Sequence, residues 1–313
     1  MPGEAAAVLD AARATGLLPP GEPVVVLLSG GRDSVCLLDV AATLAGRDAV
    51  TALHVNYGLR DSSDDDDRHC RALCAALGIP VDVVRAERSP ESGNLQAWAR
   101  EVRYEVAERA AATRDARVAA GHTSSDQAET ILYRLASSPS RRALLGMPAQ
   151  EGRLVRPLLG VSREQTAAYC RERHLAWRED ASNESDAFAR NRLRAGLLPA
   201  LRDVHPAAEQ NVVRVATILR EEAAVLDEAV AALIDGRDEV SLDALRAAPP
   251  ALARLAVTRL AESALGRLVP SVGARVGDIL ALGDGAALDL GSGSRARVER
   301  GMLRFEPTPR LPA

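Results

Sequence analysis

The chain has 313 residues, enough for one large domain or two to three smaller ones around a sizeable core. Its 39 basic residues are all arginine, against 43 acidic ones, and the formal charge of −4 excludes a uniformly basic nucleic-acid coat. No apolar run reaches the roughly 18 residues that would cross a bilayer, and MPGEAAAVLDAARATG at the start lacks the basic and apolar segments of a signal peptide.

A helix is predicted over 4–14, followed by a strand over 24–28 of apolar, mostly β-branched residues. That strand ends abruptly at Ser29-Gly30-Gly31-Arg32-Asp33-Ser34, and apolar spacing then predicts a helix over 34–45. Strand, glycine turn and helix start together aim backbone N–H groups at one point, which suits a phosphate. Asp33 does not belong in an anion cradle unless a divalent metal lies between it and the phosphates. A Walker A loop is excluded because the chain has no lysine, and a dinucleotide fingerprint because its glycines are spaced differently.

Strands over 50–55, 81–85 and 117–120 alternate with helices over 64–77, 94–113 and 126–136. This alternation predicts a parallel sheet covered on both faces, with the ligand site beyond the carboxyl ends of its strands. The Ser29 loop, the 54–60 segment and Gly121-His122 can then converge on one crevice. The acidic run 61–67 reads as a helix start, with Ser62 or Ser63 near the cap and aspartates in the first turn. Cys70 and Cys74 share a helix face without further ligands nearby. With Cys36 and Cys170 they read as buried reduced thiols.

Asn94-Leu95-Gln96-Ala97-Trp98-Ala99-Arg100-Glu101-Val102-Arg103-Tyr104 places Arg100 and Arg103 on one helix face, as phosphate partners or as solvated arginines. Gly121-His122-Thr123-Ser124-Ser125-Asp126-Gln127-Ala128-Glu129-Thr130 follows a strand and opens a helix. Asp126 would face Asp33, and two carboxylates from separate strand ends suit Mg²⁺ bound to substrate phosphates. The alternative for Asp126 is a helix-cap acid. His122 reads either as a nucleotide-orienting or acid–base group, or as a structural histidine.

Residues 137–160 form a connector punctuated by proline and glycine. Helix signals resume at Ser162 and near Ala187, continue from Pro206 to about Glu262, and recur over 271–282 before a small β-meander. Residues 134–206 carry 13 arginines against 8 acids, with Arg141, Arg142, Arg153, Arg156, Arg190, Arg192 and Arg194 along the stretch. Such a stretch suits RNA phosphates or a solvated basic face. Tyr57, Tyr169 and Trp177 are the candidates for base stacking.

The order SGGRDS, HVNYGLR, NLQAWAREVRY, GHTSSDQAET, LLGM, RPLL, WREDASNES and ARNRLRAGLLP resembles the bacterial tRNA(Ile)-lysidine synthases, members of the N-type ATP pyrophosphatases, densely over residues 20–205. The resemblance implies an α/β fold: a doubly wound parallel sheet of the adenine nucleotide alpha hydrolase type over 1–205, a helical domain over 206–265 and a small α+β domain over 266–313. It implies a cytoplasmic ligase that uses ATP and Mg²⁺ to adenylate the wobble cytidine of isoleucine tRNA with a CAU anticodon, and then attaches L-lysine. A homodimer is left open. Ser29, Gly30, Gly31, Arg32, Asp33, Ser34 and Arg100 are carried over as ATP-binding residues, Asp33 and Asp126 as metal ligands, and Asp33, Asp126, His122 and Arg103 as catalytic residues. Arg141, Arg142, Arg190, Arg192 and Arg194 are the implied tRNA contacts. The chain departs from the family pattern at Thr123 and Ser125, where histidine and aspartate are usual, and at 137–141, where Arg-Gly-Ser-Gly is usual.

Overall fold

A computed structural model describes residues 3–58, 63–86, 95–138, 141–178 and 192–308. The chain divides into two compact units, one ending at Thr217 and the other beginning at Ile218.

The first unit is built on a six-stranded sheet. In order across the sheet the strands are β3 (Val81–Arg85), β2 (Val50–Asn56), β1 (Val24–Leu27), β4 (Arg117–Ala119), β6 (Leu154–Val155) and β5 (Gln150–Glu151). All neighbours pair in parallel except the β5–β6 hairpin. β1 is buried along its whole length because alternate side chains enter two different cores. Val24, Val26 and Leu28 pack with α1 (Glu4–Ala14), α2 (Arg32–Leu44), α3 (Ser63–Leu77) and α7 (Arg163–Glu172). Val25 and Leu27 pack on the opposite face with Val106, Ala107 and Ala111 of α4 (Leu95–Ala112). Two covered faces explain why this strand reads as a continuous apolar run. Burying each such valine or leucine contributes about 1.5–3 kcal/mol, so a charge at Val26, 0% exposed, would break the layer.

The connector is not a free tether. Within it the sheet gains β6, which pairs with β4 through Val118–Leu154 and Ala119–Val155. The switch of strand order falls at β1, which has β2 on one side and β4 on the other. Ligands of open α/β sheets bind outside the carboxyl ends at such a point. The chain there leaves β1 into the Ser29 loop and leaves β4 into Gly121.

The second unit carries an antiparallel sheet, ordered β7 (Glu239–Ser241), β10 (Met302–Pro307), β9 (Ser294–Glu299) and β8 (Ala287–Gly291). The β8–β10 meander follows the alternation of its sequence, with Ala296, Val298, Leu303 and Phe305 turned inward. Val257 and Leu260 of the helix Pro250–Leu265 share one core with these strands. The helix and the meander thus belong to the same compact unit, which begins at Ile218. Among the described residues no helix is long and apolar enough to cross a membrane.

Candidate active site

The loop after β1 is held by its own side chains. Ser29 N–H donates to Ser34 Oγ at 3.2 Å, Gly31 N–H to Ser29 Oγ at 3.3 Å, and Ser34 Oγ–H to the Gly31 carbonyl at 2.7 Å. Gly30 has φ +83°, in the left-handed region where a side chain is strained. Gly31 caps α2 without a side-chain hydrogen bond, which leaves the first-turn N–H groups for an anion. The carbonyl of Gly30 accepts from Arg178 N–H at 2.9 Å, so the segment after α7 is stitched to the loop.

Gly121 brings the second motif against the first. A Cβ at Gly121 would lie 3.0 Å from the Asp33 carbonyl oxygen and 3.2 Å from Ser34 N. Two residues further on, Thr123 caps α5 (Ser124–Ser137) in a capping box. Asp126 Oδ2 accepts from both the N–H and the hydroxyl of Thr123, each at 2.9 Å. Asp126 thus serves as the cap acid through Oδ2, while Oδ1 is left to contact a group outside the helix. Gln127 exchanges two hydrogen bonds with the backbone of Met147, at 2.9 and 2.7 Å, and so fastens the LLGM segment to α5.

The sequence reading missed the residue at the centre of the acids. Arg163, the first residue of α7, reaches Asp126 Oδ1 at 2.8 Å, Glu129 Oε1 at 3.2 Å and Asp33 Oδ2 at 3.6 Å. Thr166, on the same helix and fully buried, donates its hydroxyl to Asp33 Oδ1. Arg32 Nε reaches that same oxygen at 3.3 Å. Burial alone would lower the pKa of Arg163, but Asp126, Glu129 and Asp33 more than offset it and raise the value. A sequence signal for this residue did exist. Ser162 and Gln165 form a capping box, which places Arg163 in a first helical turn where the dipole disfavours a cation. An arginine there calls for acidic partners from elsewhere in the fold.

Ser125 is buried, and its hydroxyl accepts from Arg163 N–H at 3.4 Å. It therefore supports the start of α7 rather than supplying a carboxylate. Asp33 and Asp126 are close enough to share one guanidinium, and both present hard oxygens, so the pair fits a divalent ion such as Mg²⁺. Among the described residues no group of three histidines, cysteines or acids is arranged to hold a metal, so the remaining ligands would be phosphate oxygens and water.

On α4, the Arg103 Nε donates to Tyr57 Oη at 3.0 Å, and the Arg100 guanidinium lies 4.8 Å from the centre of the Tyr104 ring. Tyr57 meets Trp98 edge to face at 5.9 Å. His122 lies within reach of these charges. Burial pushes its pKa down to about 4; Asp126 opposes the shift, and Arg156, Arg100 and Arg103 add to it. Its imidazole is therefore neutral at neutral pH, with Nδ1 buried and without a hydrogen-bond partner among the described residues.

The basic stretch is largely consumed internally. Arg153 pairs with Glu108 and Asp115, Arg156 with Glu151, Arg173 with Asp39, and Arg178 with Asp66. The Arg194 guanidinium, expected at a tRNA-facing surface, grips Glu129 through both carboxylate oxygens, at 2.8 and 3.1 Å. Arg141 has a buried Nη2, while Arg142 and Arg192 make interactions of their own. Arg190 and the segment 179–191, including most of WREDASNES, lie outside the described residues. All four cysteines are free and buried.

A protein-family model described as a PP-loop domain matches residues 10–201. A tRNA(Ile)-lysidine synthase of Thermus thermophilus is 41% identical over 248 residues, covering 77% of this chain and 48% of that protein. The chain thus spans about half the length of several curated relatives that it matches. A tRNA(Ile)-lysidine synthase of Gloeobacter violaceus is 38% identical over 262 residues, covering 79% of this chain and 78% of that protein. Among solved structures, the U34-tRNA thiolase NcsA from Methanococcus maripaludis superposes with a TM-score of 0.58 at 17% identity, over 68% of this chain and 78% of that one. That likeness concerns the fold alone.

Proposed function

Because this chain belongs to the tRNA(Ile)-lysidine synthase family, we propose that it ligates lysine to the wobble cytidine of an isoleucine tRNA with a CAU anticodon, using ATP. The O2 oxygen of the cytidine attacks the α-phosphorus of ATP, and pyrophosphate leaves. The side-chain amine of L-lysine then attacks carbon 2, the carbon–oxygen bond breaks, AMP departs with that oxygen, and the amine releases a proton. The products are lysidine, AMP and pyrophosphate. A cytoplasmic location follows from this reading.

The observation that carries the reading is the backbone contact between Gly121 and Asp33, which joins the two motifs at the strand-order switch. In this scheme the Ser29–Ser34 loop and the α2 N-terminus hold the pyrophosphate end of ATP. Arg100 and Arg103 counter phosphate charge, and neutral His122 hydrogen-bonds the nucleotide. Asp33 and Asp126 would hold Mg²⁺, which when bound offsets the charge gathering on the departing pyrophosphate.

Sulfur transfer on the same fold is disfavoured by the cysteines. The chain has no C-x-x-C pair, and burial pushes the Cys70 and Cys74 thiols up to about 12 and about 11, away from reactive thiolate. The test is ATP–pyrophosphate exchange dependent on the CAU isoleucine tRNA, together with incorporation of labelled lysine into that tRNA. Both are expected. Absence of exchange, or exchange without lysine transfer, would overturn the proposal.

A further inference from the structure

We propose that Arg163 is a built-in counter-cation that competes with the divalent metal for Asp33 and Asp126, so that metal enters this site only together with the triphosphate. The inference rests on the metal reading of that acid pair given above. Arg163 Nη2 lies 2.8 Å from Asp126 Oδ1, its Nε 3.6 Å from Asp33 Oδ2 and its Nη1 3.2 Å from Glu129 Oε1. One planar guanidinium thus touches an acid from α2 and two from α5. It does so from the first turn of α7, where the helix dipole gives no support to a positive charge. The carboxylates are therefore what holds the side chain in place.

The cluster is balanced without any metal. Asp33 meets Arg32 and Arg163, Asp126 meets Arg163, and Glu129 meets Arg163 and Arg194, each of these five pairs at 3.6 Å or less. A free divalent ion approaching this cluster meets three carboxylates already matched by three guanidiniums. It gains a carboxylate only by displacing a cation. A nucleoside triphosphate changes that sign, because it brings several negative charges together with the metal. Glu129, shared with Arg194 and 3% exposed at its side chain, remains a partner for Arg163 once the other two acids are taken.

The probe is Mn²⁺, titrated by electron paramagnetic resonance into the nucleotide-free full chain. Wild type is expected to bind weakly and Arg163→Gln at least about tenfold more tightly, a small part of what one removed unit charge exerts at contact distance. Arg163→Lys keeps the charge and should bind as weakly as wild type. Asp33→Asn in the Arg163→Gln background should erase the gain. If wild type and Arg163→Gln bind Mn²⁺ equally, and both lose it with Asp33→Asn, the acid pair takes metal but Arg163 does not compete, and the inference falls alone. If no variant binds Mn²⁺ through Asp33 even with a non-hydrolysable ATP analogue, the metal reading falls with it. Should Arg163→Gln fail to fold, the Arg163 Nε–H resonance of wild type, assigned with Arg163→Lys, gives a second test. Mg²⁺ alone must leave it in place, and Mg²⁺ with the analogue must shift it; a shift with Mg²⁺ alone overturns the proposal.

Discussion

Gly121 and Asp33 meet backbone to backbone: a Cβ at Gly121 would stand 3.0 Å from the Asp33 carbonyl oxygen and 3.1 Å from its carbon. Neither atom can swing aside as a side chain could. Gly121→Ala should therefore push the two loops apart at a cost of about 1–3 kcal/mol, the usual range for overpacking. The chain should stay folded, because the strands and helices beneath keep their cores. Calorimetric titration with ATP should show weaker binding, and undiminished ATP affinity would mean that the nucleotide does not use this junction.

Asp33 is the residue on which adenylation depends in the proposed scheme. Asp33→Ala is expected to abolish tRNA-dependent ATP–pyrophosphate exchange, and retained exchange would sink the assignment. Thr166→Val removes only the hydroxyl that holds Asp33 Oδ1 from α7. A hydrogen bond to a charged group is worth about 1.5–3 kcal/mol, so exchange should slow by roughly tenfold or more without loss of the fold. An unchanged rate in Thr166→Val would show that Arg163 and Arg32 position the carboxylate unaided.

Arg194→Met separates an internal role from an RNA-contacting one. Glu129 is buried, with its side chain 3% exposed, and would keep only Arg163 as a cationic partner. Breaking a buried pair costs about 3–5 kcal/mol when no partner remains. With Arg163 still in place, a loss of about 2 kcal/mol is expected in urea unfolding. The salt dependence of tRNA binding should keep its slope, since no phosphate contact is lost. A shallower slope with undiminished stability would return Arg194 to the RNA surface.

His122 sets a pH window for stability. Its native pKa, about 4, lies below its ordinary value of 6.5. Between those values the unfolded chain binds a proton that the native chain refuses. Stability contributed by neutral His122 is therefore complete above pH 6.5 and falls as pH drops towards 4, by about 3 kcal/mol at most. His122→Asn should flatten that part of the profile in thermal melts taken from pH 4 to 7. A slope identical to wild type would place the titration elsewhere.

The layers of the fold were legible where side-chain period and length agreed. Val24–Leu27 is a continuous apolar strand, and Val50–Asn56 a mostly buried one, because both sheet faces are covered. Leu154–Val155 and Glu239–Ser241 were not legible, since two or three residues cannot establish a period and the first lies among glycines and prolines. The Ser29 loop and Asp126 could be read locally, because a turn and a helix start announce themselves in neighbouring residues. Arg163 and Thr166 could not. Their partners on α2 and α5 come from distant parts of the chain; the Ser162–Gln165 capping box marks Arg163 as a cation in a first turn but names no partner. Arg194 shows a further limit: its place in a basic stretch suggests RNA, but nothing local announces its partner Glu129, 65 positions away and buried.

The hydroxyl that holds Asp33 lies 133 positions further along the chain. At roughly 5–20 residues per second, a ribosome makes Asp33 about 7–27 seconds before it makes Thr166. During that interval the nascent strand and helix can pair, but the carboxylate has neither its α7 hydroxyl nor its α7 guanidinium. A nascent chain released before α7 would carry the whole nucleotide signature and still lack the groups that aim its acid. In the proposed scheme, competence to handle ATP is therefore acquired late in synthesis, once β6 has paired with β4 and α7 has reached Asp33.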